Sequence, residues 1–115
     1  MGASQLPEVV RLQDARGERP PNAAGVGEFW YEPEIWSLPL SLVSRVLYAT
    51  LCAFLGHGEI NRKDLGNALK DCSDAEILGS FEDLLRHNLL SPTPKSTPGG
   101  TVVGYAVRPI RDLEG

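Results

Sequence analysis

Asn61-Arg-Lys-Asp-Leu-Gly-Asn-Ala-Leu-Lys-Asp-Cys-Ser-Asp-Ala-Glu-Ile-Leu-Gly-Ser-Phe-Glu-Asp-Leu-Leu-Arg-His-Asn-Leu-Leu-Ser91 is the stretch from which the fold is read. Ser73 and Glu76 stand at the spacing of a capping box, in which the serine hydroxyl and the glutamate carboxylate each satisfy a free amide at a helix start. A helix is therefore predicted from about Asp74 to His87 or Asn88, with Ile77, Leu78, Phe81, Leu84 and Leu85 on its apolar face. Before it, Asn61 is a candidate N-cap for a shorter helix that ends near Lys70 and turns Leu65, Ala68 and Leu69 inward. Asp71 and Cys72 form the tight turn between the two.

Working outward, an earlier helix is expected to begin at Ser37 or Leu38, ahead of Pro39, and to end at Gly56. Leu40, Val43, Leu47, Thr50, Leu51 and Phe54 supply a buried stripe at three-four spacing, and Val46 and Leu55 widen it, so this helix should be mostly covered. On the other side, Ser91 to Gly100 is rich in Pro, Ser, Thr and Gly and reads as a loop. Thr101 to Arg108 alternates, placing Val103, Tyr105 and Val107 on one face of a strand that pairs with Leu89 to Thr93 as a hairpin. Residues 1–28 mix breakers and charges with few large apolar groups and read as a flexible N-terminal arm. The folded domain then occupies residues 29–115.

The chain has 115 residues, 42% of them hydrophobic and 23% charged, as expected of one globular domain. Its longest apolar stretch, Leu38 to Leu55, is interrupted by Pro39, Ser41, Ser44, Arg45 and Thr50, so a membrane span is not expected. The first residues lack the basic and apolar regions of a secretory signal, and there are only two cysteines. A cytoplasmic protein with reduced thiols is the expectation. The net charge of −4 opposes nucleic-acid binding in its simplest form, which an excess of Lys and Arg drives.

The helix, turn, serine cap and second helix of residues 61–91, with the leucine-containing segment that leads into a hairpin, resemble winged helix-turn-helix proteins. The lead-in Phe29 to Trp36 and the run Leu40 to Tyr48 also look like those of bacterial and phage replication-initiator and regulator domains. The resemblance implies a mainly α fold, with three helices and a small β-hairpin as a wing, and a function in transcriptional or replication regulation. It implies that the third helix enters the major groove of double-stranded DNA. On that basis Arg62, Lys63, Lys95 and Arg108 would hold phosphates, and Ser73, Ser80 and Arg86 would lie near base edges, in a chain that could act as a homodimer.

The charge of the third helix points elsewhere. Asp74, Glu76, Glu82 and Asp83 face a single fixed base, Arg86, and carboxylates repel phosphates. The alternative is a module that binds a protein partner and has lost DNA binding, with the acidic helix and the aromatic cluster Phe29, Trp30, Tyr31 and Trp36 as the interface. Other chemistry has little support. Cys52, His57, Cys72 and His87 match Cys₂His₂ in composition but lack the close pairing of structural zinc ligands. Neither histidine has a nucleophile or carboxylate at triad spacing, and Gly99-Gly100 precedes a strand, not a phosphate-binding helix. No enzyme activity, metal or cofactor is expected.

Overall fold

In the computed structural model, residues 6–27, 29–93 and 102–113 are described. The chain runs through strand β1 (Val9–Asp14), helix α1 (Leu42–Phe54), strand β2 (Glu59–Asn61), helices α2 (Arg62–Ala68) and α3 (Asp74–Arg86), and strands β3 (Leu90–Pro92) and β4 (Val102–Val107). Single 3-10 turns at Pro33–Ser37, Leu55–His57 and Ile110–Asp112 link them. The four strands form one mixed sheet in the order β2-β1-β4-β3.

This is an α+β fold, and it corrects the expectation of a mainly α, winged helix-turn-helix domain with only a small hairpin. The hairpin itself forms, β3 pairing antiparallel with β4 from Leu90 opposite Val107 to Pro92 opposite Tyr105. What changes the class is β1. It lies in the interior of the sheet, parallel to β4 over all six residues and antiparallel to β2, with Val10 opposite Ile60. The stretch assigned to a flexible arm thus supplies a central strand, and Leu6, Val10 and Leu12 are buried in the core. Burying side chains of this size stabilises the fold by about 1.5–3 kcal/mol each, enough to order a segment whose composition suggests disorder.

Elsewhere local chemistry sets the boundaries. Ser73 and Glu76 form the capping box, the Ser73 hydroxyl accepting from the Glu76 amide and the Glu76 carboxylate from the Ser73 amide. Asn61 and Asp64 make a second one at α2. Leu65 and Leu69 are buried as expected, but Ala68 is exposed because α2 ends there. Helix α1 starts at Leu42, later than expected, since Leu38 ahead of Pro39 is held extended at ψ 150° and Ser41 is the residue that caps, accepting from the Ser44 amide. The left-handed glycine after this helix is Gly58, at φ 76°, not Gly56.

The core lies between α1, α3 and one face of the sheet. Leu47, Tyr48, Leu51 and Cys52 of α1 meet Ile77, Phe81 and Leu84 of α3 and Ile60, Leu90 and Val107 of the strands. Tyr105 faces α3, stacking on Phe81 with ring centroids 5.4 Å apart. The side chain of Val103 lies outside the described residues. Tyr48 donates from its hydroxyl to the Arg108 carbonyl at 2.5 Å, and burial drives its pKa upward, so it stays a neutral donor.

One buried cation joins β1 to the rest. Arg16 is 1% exposed. Its Nε and Nη2 donate to the two carboxylate oxygens of Asp14 at 2.9 and 3.0 Å, and its Nη1 donates to the Trp30 carbonyl. The guanidinium lies over the Trp30 ring, 3.6 Å from its centroid. Burial alone would raise the Asp14 pKa, but the hydrogen bonds and charge of Arg16 outweigh it and hold that carboxyl below its ordinary value.

Removing Asp14, whose side chain is 40% exposed, leaves the buried Arg16 guanidinium without its carboxylate, so Asp14→Ala should lower unfolding stability by about 1–2 kcal/mol, less than for a fully buried pair. Arg16→Met, which keeps the stack without the charge, should lower it less, both read from urea denaturation. A depressed carboxyl contributes stability that is present above its unfolded pKa and is lost as pH falls through the folded one. In the window below pH ~4 the wild type should therefore lose its margin over Asp14→Ala.

Candidate functional site

The residues assigned to phosphate or base contact occupy separate places, and most are already engaged. Arg62 opens α2, but its Nη2 donates to the Leu6 carbonyl at 2.8 Å and pairs with Glu8 at 3.2 Å, so it fastens the start of β1. Lys63 beside it is exposed. Both line an open cleft of about 500 Å³ that Glu8 and Asp74 also line. Arg108 is paired with Asp112 at 2.8 Å, and Arg86 with Asp83 at 3.5 Å. Partly exposed pairs like these contribute on the order of 1 kcal/mol each. Their importance here is positional, because a carboxylate occupies ground that a phosphate would need.

The two serines are committed to the backbone of α3. Ser73 is its N-cap, and Ser80 is buried with its hydroxyl donating to the Glu76 carbonyl at 3.0 Å, so Ser80 is not placed to read a base edge. Ser80 and Arg86 do come together, in a shallow cleft of about 370 Å³ between the start of α1 and α3, but Glu76 and Asp83 share it. Asp83 accepts from the Ser44 hydroxyl at 2.7 Å there. Lys95 lies outside the described residues.

The aromatic cluster divides. Trp30 is 5% exposed and serves as the platform beneath Arg16, which removes it from the expected partner interface. Tyr31 is half-buried and meets Trp36 edge to face at 6.1 Å. Trp36 and Phe29 remain 42% and 40% exposed. They mark opposite ends of α1. Arg45, one turn into the helix, donates to the Trp36 carbonyl at 2.6 Å, whereas Phe29 packs on His57, which in turn meets Phe54 at the last turn.

Between those ends lies a face that the sequence reading missed. At 100° per residue, the buried Ser44, Leu47, Tyr48, Leu51 and Cys52 define the core side of α1, and directly opposite stand Leu42, Val46, Ala49 and Ala53. Leu42 is 62% exposed, and the other three are half-buried. A helix lying on a core normally presents charges outward, yet α1 carries only Arg45 among its 13 residues. That single charge in Leu42–Phe54 was the signal available. The wide apolar stripe, Val46 included, reads by itself as a helix mostly covered by its own domain.

The four residues weighed as a zinc set are spread through the fold. Cys52 is fully buried in the core, and burial pushes its thiol up to about 12, well away from the thiolate a metal requires. His87 lies 2.9 Å from the Asp83 carbonyl through Nδ1. No family model, no curated protein and no solved structure matches this chain.

Both thiols are free, with Cys72 only partly buried. In native protein a disulfide reagent should therefore modify Cys72 quickly, while Cys52 reacts only at the rate of unfolding. Two fast thiols would contradict the packing of Cys52 against Tyr48 and Arg16.

Proposed function

We propose that this chain is a protein-binding module whose contact face is the outer side of α1, from Trp36 and Leu42 at one end to Phe29 at the other. Leu42, 62% exposed at the head of the half-buried residues Val46, Ala49 and Ala53, carries the reading together with the exposed rings of Trp36 and Phe29, because apolar surface left open to solvent is stabilised by a partner that covers it. The charge of α3 supports it as well. The helix carries four acids and one base; that base and Asp83 are paired with each other and Glu76 closes the helix cap, so nothing on it is left to attract a phosphate. The free thiols suit a reducing compartment, and we place the module in the cytoplasm.

A photo-crosslinking amino acid at position 49 in the native cell tests the face directly, with the exposed α2 position Asn67 as control. Adducts should form from position 49, not from position 67, and should disappear when Leu42→Asp is added. A duplex DNA titration at two salt concentrations makes the opposing case. Affinity that falls steeply with salt and is lost in Arg62→Ala/Lys63→Ala, with no adduct from position 49, would replace this reading with nucleic-acid binding.

A further inference from the structure

We propose that residues 17–27 are a surface loop that opens and closes on its own, insulated from the sheet by a neck that stays shut, the clasp of Arg16 on Trp30. Burial carries the inference. Arg16 is 1% exposed and Trp30 5%, yet not one of residues 17–27 is buried, and the core cluster has no buried member between Leu12 and Ile35. The chain enters and leaves the loop through two side chains that hold each other. The guanidinium lies 3.6 Å from the Trp30 ring centroid, and its Nη1 donates to the Trp30 carbonyl. A compact excursion whose two ends are in contact is an Ω loop.

What holds this loop beyond its neck is polar and open to water. Arg19 Nη2 donates to the Gly25 carbonyl at 2.6 Å, and Asn22 Nδ2 to Glu34 Oε2 at 2.7 Å, both on the surface. The Ala23 amide donates to the Pro20 carbonyl, and Ala24 and Tyr31 exchange a pair of bonds at 2.9 Å. Water replaces bonds of this kind at small net cost. Ordering the loop works against conformational entropy, with no apolar burial within it as an offset. The neck differs on each count. Arg16 packs against Tyr48 and Cys52 of the core, and withdrawing it would leave the Asp14 carboxylate without its partner. With the neck shut, the loop ends keep their places, so opening gains the freedom of the loop alone and β1 retains its ladder. Val26 at the tip, 75% exposed, can then change place without cost to the sheet.

Native-state hydrogen exchange on the full chain, followed amide by amide, tests this independently of the protein-binding reading. Ala24 and Tyr31, bonded across the loop, should exchange at least about 100-fold faster than Ala15 and Arg108, which are bonded to Val107 and Leu89. Low concentrations of urea should leave the loop rates nearly unchanged, because little surface is uncovered, while the sheet rates rise with global unfolding. Asp14→Asn weakens the clasp in the closed and open-loop forms alike. It should therefore speed Ala15 and Arg108 several-fold and leave Ala24 and Tyr31 within about twofold of wild type. Gly25→Ala acts from the other side, because at φ 101° an added Cβ collides with the Phe29 carbonyl. It should strip protection from Ala24 and Tyr31 while the sheet still melts in one cooperative step. Loop amides no faster than sheet amides overturn the proposal. So does Asp14→Asn speeding both sets by the same factor, since the neck would then break whenever the loop opens.

Discussion

Backbone pairing along β1 is the constraint on which the rest of the structure depends. β2 has three residues and β3 another three, and neither touches the other. Short strands of this kind are marginal alone. They belong to one sheet because β1 bridges β2 to β4 and β4 in turn holds β3. The same strand carries Val10 and Leu12 into the core beneath the helices, so one segment both supplies the ladder and seals the apolar face. Arg62 fastens its beginning and Arg16 its end. Arg62, a cation that suggests a ligand surface in the sequence, is thereby committed to internal work.

How far sequence is informative depends on the range of the interaction. The helix starts at Asn61 and Ser73 are legible because a capping box is closed within four residues and needs nothing from elsewhere. The alternation ending at Val107 announces β4 for a similar reason. β1 is hard to see, since Val9-Val10-Arg11-Leu12-Gln13-Asp14 is a brief alternation followed by a long breaker-rich stretch, and its partners lie some 50 and 93 positions further on. Arg16 is less legible still. An arginine is ordinarily at the surface, and its burial requires Asp14, Trp30 and the floor made by Tyr48 and Cys52 at once.

The candidate site shows the same division. Asp83 and Asp112 stand three and four residues from Arg86 and Arg108 and were legible as partners, whereas the pairing of Arg62 with Glu8 across the fold was not. The apolar character of α1 was visible, but how it is apportioned was not. A pattern of hydrophobic residues states how much surface must be covered and leaves open which molecule covers it. Only the orientation of the helix on its core separates the stripe that faces Ile77 and Phe81 from the stripe that begins at Leu42.

The adjacency of β1 and β4 has a further consequence for synthesis. Val9 pairs in register with Val102 and Asp14 with Val107, so two neighbouring strands are separated by nearly the whole described sequence. On a ribosome, β1 emerges first and must wait for β4 before its parallel edge is satisfied. The capped helices can form while they wait, since their contacts are near in sequence. The sheet closes last and slowly, and until it does a nascent chain presents an unpaired strand edge to its neighbours on the polysome.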